Sequence, residues 1–118
     1  MKILVAEDEP IVQKTIALRL RKDGHEVITT DNGREAIELA DQFQPDLIIT
    51  DIMMPYASGL EIVSKVKQGT RHIPVIVLTS MGQENVVVEA FNLGADDFIA
   101  KPFSPNELSM RVKRFSTK

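Results

Sequence analysis

The sequence predicts an α/β fold in which five β-α repeats build a parallel sheet covered by helices on both faces. Three observations predict it. Four compact, mostly β-branched apolar runs recur, at residues 3–6, 47–49, 75–78 and 98–100, with a weaker Val27-Ile28 between the first two. Such runs suit strands buried on both faces. Between them lie segments whose apolar residues recur at helical spacing. The junctions carry the residues that start and stop helices. Strict alternation, short loops and right-handed crossovers leave a doubly wound open sheet.

Each element follows in order. The first strand, residues 3–6, runs into Glu7-Asp8-Glu9. Pro10 then opens a helix at its first turn. Val12, Ile16 and Leu20 share one face of that helix, and Gly24 stops it. After Val27-Ile28, Asp31 or Asn32 can cap a second helix with the stripe Ala36, Ala40 and Phe43. Pro45 precedes the third strand, and Gly59, Ile62, Val63 and Val66 form the stripe behind it. The fourth helix carries Val86 or Val87, then Ala90 and Leu93, and ends at Gly94. Ser104-Pro105-Asn106-Glu107 reads as an N-cap with proline at the first helical position and a box glutamate three residues on. The last stripe is Leu108, Val112 and Phe115.

Composition bounds the rest. With 118 residues the expectation is a single domain, 1–118. A chain of this size buries roughly two thirds of its unfolded surface and needs no staple. The absence of cysteine excludes a disulfide framework, a zinc knuckle and a thiol nucleophile. A net charge of −3 argues against direct nucleic-acid binding, which needs a basic face. The apolar runs are too short to span a bilayer. One cation and a short apolar run open the chain, but acids follow at once, so residues 1–6 read as a strand and not a signal peptide. The cytoplasm is the expected compartment. A basic bias marks the end, where Lys101, Arg111, Lys113, Arg114 and Lys118 stand against Glu107 alone.

In doubly wound sheets, ligands bind beyond the carboxyl ends of the strands. Those ends hold Glu7-Asp8-Glu9, Asp51, Thr79-Ser80 and Lys101-Pro102. Asp8 or Glu9 could simply cap the first helix. Asp51 is harder to explain that way, because it leaves the sheet centre after Leu47-Ile48-Ile49-Thr50 and costs energy there unless paired. Clustered carboxylates repel, which raises at least one pKa. A hard divalent cation relieves the repulsion, and oxygen-only ligands favour magnesium over zinc. The set suits phosphoryl transfer, with Asp51 as nucleophile, Glu7 and Asp8 holding the metal, Lys101 stabilising charge and Thr79 donating a hydrogen bond.

At this point the sequence resembles the receiver domain of bacterial two-component response regulators, over essentially its whole length. The resemblance rests on Glu7-Asp8, on Asp51-Ile52-Met53-Met54-Pro55 with Gly59, on Leu78-Thr79-Ser80, and on Gly94-Ala95-Asp96-Asp97-Phe98 leading to Lys101-Pro102-Phe103. It implies the flavodoxin-like (βα)5 receiver fold with strand order 2-1-3-4-5. It also implies that Asp51 accepts a phosphoryl group from a sensor histidine kinase or a histidine phosphotransfer protein. Glu7, Asp8, Asp51 and the backbone carbonyl of Met53 would hold Mg²⁺, or Mn²⁺ as a substitute. Thr79 and Lys101 would contact the phosphoryl group, and Phe98 would switch rotamer with Thr79. The Lys101–Pro102 bond is expected to be cis. Met54 reads as loop or core filling. Two features depart from the commonest pattern: the acidic pair is Glu-Asp rather than Asp-Asp, and the switch aromatic lacks a hydroxyl.

The resemblance further implies an output face on the fourth helix, fifth strand and fifth helix, which would control an effector domain or a protein partner. Asp97, Glu107 and Arg111 fit a face that pairs two copies on phosphorylation. Val86-Val87-Val88 spans about 200° of the helix, so at least one valine faces outward, and Val87 is assigned to that face. Two other functions are possible on this fold. A flavodoxin-like cofactor module needs a phosphate-cradling first loop, but Glu7-Asp8-Glu9 repels phosphate. An aspartyl-nucleophile phosphohydrolase of the haloacid dehalogenase type needs a second aspartate two residues on, but position 53 is methionine. No turnover of external substrates is therefore expected, only gain and loss of the domain's own phosphoryl group.

Overall fold

The computed structural model describes residues 1–116. Five strands, β1 (Lys2–Ala6), β2 (Glu26–Thr30), β3 (Leu47–Asp51), β4 (Val75–Thr79) and β5 (Asp97–Ala100), alternate with five helices. These are α1 (Pro10–Lys22), α2 (Gly33–Gln42), α3 (Gly59–Gln68), α4 (Glu84–Asn92) and α5 (Pro105–Lys113). All pairings are parallel, in the order β2-β1-β3-β4-β5, which is the expected topology. The basic residue Lys118 lies outside the described residues.

Strand side chains alternate between faces. Leu4, Ala6, Ile48, Val75 and Val77 point to one core, closed by Ala36, Ile62, Val63 and Ala90 of α2, α3 and α4. Ile3, Val5, Leu47, Ile49, Ile76, Leu78 and Ile99 point to the other, closed by Ile16, Leu20, Leu108 and Val112 of α1 and α5. Both faces being covered explains why β1, β3 and β4 read as unbroken apolar runs. The edge strands are covered less: β2 is half-exposed, and β5 buries Asp97 and Ile99 but leaves Phe98 and Ala100 outward.

The helix boundaries follow the punctuation. Pro10 sits at the start of α1, and Gly24 and Gly94 follow α1 and α4 with φ of 98° and 111°. Of the two capping candidates for α2, Asn32 does the work: its side chain accepts from the Glu35 N–H at 2.8 Å. Ser104 caps α5 from Glu107 N–H at 3.0 Å. Phe43 falls just past α2, half-buried, with the Lys2 ammonium 4.5 Å over its ring. Among the described residues, no helix is long and apolar enough to cross a membrane.

Candidate functional site

The carboxyl ends of β1, β3, β4 and β5 bring Glu7, Asp51, Thr79 and Lys101 to one edge of the sheet. Register fixes this arrangement: Ala6 pairs with Thr50, Asp51 with Leu78, and Thr79 with Ala100. Glu7, Asp51 and Thr79 are buried, whereas Asp8 is exposed. One carboxylate oxygen from each of Glu7, Asp8 and Asp51 lies within 4.8 Å of the others.

Lys101 sits among these acids. Its Nζ donates to Asp51 Oδ2 at 2.7 Å and to Glu9 Oε1 at 2.9 Å. Glu7 Oε1 lies 2.8 Å from the same nitrogen, yet that fully buried oxygen has no partner in hydrogen-bonding geometry. Burial pushes the Glu7 carboxyl up to about 7; Lys101 and the Glu9 N–H pull it down, and the Asp51 charge adds to the rise. For Lys101, burial alone would lower the pKa. The Asp51, Glu7 and Glu9 carboxylates outweigh that and hold the ammonium above the usual lysine value.

A metal ion fits this donor set. The three acids supply only oxygen ligands, and the fully buried Glu7 Oε1 faces the Lys101 ammonium at 2.8 Å without a bond of good hydrogen-bonding geometry. Hard divalent cations prefer such a set, and their binding requires the Glu7 carboxyl to be deprotonated. Asp51 Oδ1 accepts the Met53 N–H at 3.1 Å, which ties the backbone of residue 53 to the site.

The loop between β3 and α3 is seated from two sides. Gly33 N–H donates to Pro55 O at 3.0 Å, and a Cβ at Gly33 would lie 1.8 Å from Ala57 O. A Cβ at Gly59 would lie 2.5 Å from Asp51 O. Only glycine lets these backbones approach so closely. On the β1 side, Glu7 N–H donates to Thr30 O at 3.0 Å, and Gln13 Nε2 donates to Glu7 O and Thr30 O at 2.8 and 3.1 Å. Thr30 Oγ1 bonds Glu35 in turn. The corner between β2 and α2 thus touches both arms of the site. Sequence reasoning missed Gln13 and Gly33, and nothing in their local pattern marked them. Glu9, a strand-end acid and cap candidate in the sequence, stands at the N-cap position, but its carboxylate goes to Lys101.

The other expected positions fall as follows. The Lys101–Pro102 bond is cis. Met54 packs half-buried on the α2–α4 core, and Met53 is exposed. Phe98 is 39% exposed and meets Phe91 edge-on, with ring centroids 6.0 Å apart. One of the three adjacent valines does face outward: Val88 is 60% exposed, whereas Val86 and Val87 are half-buried against the core. Asp97, Glu107 and Arg111 do come together, but within one chain. Arg111 donates to both Asp97 oxygens at 2.9 and 3.1 Å and lies 3.5 Å from Glu107, while Arg114 reaches Asp97 at 3.4 Å. A hollow of about 640 Å³ lies at the opposite end of the strands between the ends of α2 and α3, away from this chemistry.

Comparison with known proteins identifies the family and the fold. The family model for the response regulator receiver domain matches residues 3–113. The chain is 39% identical over 112 residues to the alkaline phosphatase synthesis transcriptional regulatory protein PhoP of Bacillus subtilis, covering 95% of this chain and 47% of that protein. It is 38% identical over 112 residues to the transcriptional regulatory protein SrrA of Staphylococcus aureus, covering 95% and 46%. The chain thus spans about half the length of the curated relatives it matches. Among solved structures, a response regulator receiver domain protein of Clostridium thermocellum superposes with a TM-score of 0.90 at 33% identity, covering 97% of this chain and 92% of that one. The chemotaxis response regulator CheY4 of Vibrio cholerae gives 0.90 at 30% identity, covering 97% of each chain.

Proposed function

From the premise that this chain belongs to the response regulator receiver family of two-component systems, we propose that Asp51 is its phosphoacceptor. The observation that carries the reading is the Asp51 carboxylate itself: nearly buried at the end of a central strand, held by Met53 N–H and Lys101 Nζ, with Glu7 and Asp8 beside it. In the proposed step, a carboxylate oxygen of Asp51 attacks the phosphorus of a phosphohistidine. The P–N bond of the donor breaks as the new O–P bond forms, and the electron pair leaves with the imidazole.

Glu7, Asp8, Asp51 and the Met53 carbonyl would hold Mg²⁺, with Mn²⁺ able to replace it. When bound, the ion supplies positive charge against the phosphoryl oxygens. Lys101 adds the second positive charge, and Thr79, at the end of β4, donates a hydrogen bond to the group. Movement of Thr79 would then draw Phe98 off its edge-on contact with Phe91 and alter the face formed by α4, β5 and α5. That face would act on an effector domain, a separate protein partner or a second copy of the chain. The upstream donor would be a histidine kinase or a histidine phosphotransfer protein. The only chemistry expected is on the domain's own phosphoryl group, with no external substrate.

The test is intact-mass measurement after incubation with phosphoramidate and Mg²⁺. The wild type gains one phosphoryl group, and the gain requires the metal. Asp51→Asn gains none. Undiminished modification of Asp51→Asn would remove Asp51 from the role.

A further inference from the structure

Lys101 is ringed by carboxylates before any phosphoryl group arrives. Its Nζ lies 2.7 Å from Asp51 Oδ2, 2.8 Å from Glu7 Oε1 and 2.9 Å from Glu9 Oε1. An ammonium has three donors and no acceptor. A phosphoryl oxygen that seeks Lys101 therefore competes with three anions already around it.

The three are unequal. The Glu7 side chain is fully buried and that of Asp51 is 9% exposed, whereas that of Glu9 is 60% exposed. Water can solvate the Glu9 carboxylate as the pair opens, so this bond is the cheapest to break. Neither of the others offers that route. Glu9 also lacks a competing structural task, because at the start of α1 its side chain makes no capping hydrogen bond. Instead it reaches a residue 92 positions away in sequence.

We propose that Glu9 is a positioning residue that holds the Lys101 ammonium in its resting place and releases it to the phosphoryl group. The inference rests on the reading of Asp51 as phosphoacceptor. In the resting chain, Glu9 draws Lys101 toward the α1 side of the site. On phosphorylation, the ammonium exchanges Glu9 for a phosphoryl oxygen, and Glu9 turns to solvent. Glu9 touches no reacting atom and acts through Lys101.

The test is a four-way comparison of wild type, Glu9→Gln, Lys101→Gln and the double variant. The probe is beryllofluoride, a phosphoryl mimic that does not transfer, titrated with Mg²⁺ present. Glu9→Gln is expected to bind it about two- to fivefold more tightly than wild type, the range of an exposed ion pair. In the Lys101→Gln background the same change should have no effect. An equal gain in both backgrounds would mean that Glu9 acts only as a nearby negative charge, and would overturn the inference. A second readout needs no ligand: the side-chain ammonium resonance of Lys101 should move in Glu9→Gln, and an unmoved resonance would also overturn it. Binding to wild type separates the two levels. A wild type that takes up no beryllofluoride brings down the phosphoacceptor reading as well. Normal uptake with an indifferent Glu9→Gln brings down only the role of Glu9.

Discussion

Gly33 opens α2 at the point where the β3–α3 loop passes over it, and replacing it by alanine tests how rigidly the site is built. The new Cβ would lie 1.8 Å from Ala57 O, 2.6 Å from Ala57 C and 2.9 Å from Ala57 Cβ. Two of these are backbone atoms, so no rotamer change relieves the clash. Ordinary contact starts at 3.4 Å, so the two backbones must part by about 1.6 Å, the difference between 3.4 and 1.8. Overpacking of this kind costs about 1–3 kcal/mol. Separation also stretches the 3.0 Å bond from Gly33 N–H to Pro55 O, which is worth about 1 kcal/mol. The better helix propensity of alanine returns about 0.5–1 kcal/mol. The net expectation is a loss of about 1–3.5 kcal/mol, centred near 2, or about 4–14 °C in Tm for a chain of this size. Gly24→Ala is the control: its φ of 98° strains an alanine, but nothing lies within 4 Å of the new Cβ, so the loss is about 1 kcal/mol. Urea unfolding followed by far-ultraviolet circular dichroism measures both, since the chain has no tryptophan. A Gly33→Ala loss no larger than that of Gly24→Ala would refute the argument. Because the loop carries Met53, the same variant should also bind Mg²⁺ more weakly.

Metal binding should depend on pH. With the Glu7 carboxyl at about 7, the proposed Mg²⁺ would displace a proton near neutrality, and its apparent affinity should rise about tenfold from pH 6 to pH 8. Calorimetry in buffers of different ionisation enthalpy measures the proton released; a flat profile counts against it. Without metal the same raised pKa acts on folding. The folded chain keeps its proton above the ordinary value of 4.5, so this contribution is full below 4.5 and is lost as pH rises through about 7. In the core, Ile48 and Ile49 are fully buried on opposite faces of β3. Ile48→Ala should cost about 2–5 kcal/mol and Ile49→Val about 0.5–1.5 kcal/mol by urea unfolding.

How much of this was legible in the sequence depended on burial and on range. The central strands β1, β3 and β4 are covered on both faces, so their apolar runs were continuous and unmistakable. The edge strand β2 is half-exposed and gave only Val27-Ile28. Helix ends were legible because capping is local, as with Asn32 and Glu35 or Ser104 and Glu107. The cluster of Glu7, Asp8, Asp51 and Lys101 could be inferred because strand ends in a parallel sheet share one edge. Gln13 and Gly33 could not. Their partners, Thr30 and Ala57, lie 17 and 24 residues away and meet them only through the final packing of loops. Three adjacent valines on α4 required at least one to face outward, but which one, Val88, is set by packing that the local sequence does not show.

Asp97, Glu107 and Arg111 show the same limit with a sharper consequence. In the sequence they are charges suited to pairing two copies of the chain, and in the single chain they pair with each other. Asp97 is 8% exposed and accepts two hydrogen bonds from Arg111, with Arg114 near its second oxygen. A nearly buried carboxylate cannot give up these donors cheaply, because an unpaired buried charge costs several kcal/mol. Arg111, about one third exposed, is the mobile partner. Any self-association that uses Arg111 must therefore break or share its bonds to Asp97. Arg111→Ala should lower stability by about 1–2 kcal/mol, less than for a sealed pair because Arg114 remains beside Asp97. Asp97→Asn in the Arg111→Ala background should cost less than Asp97→Asn alone, with a coupling of about 1 kcal/mol by urea unfolding of all four chains. A coupling near zero would show that the two residues do not depend on each other within the monomer. The charges would then be free for a partner, as their sequence positions first suggested.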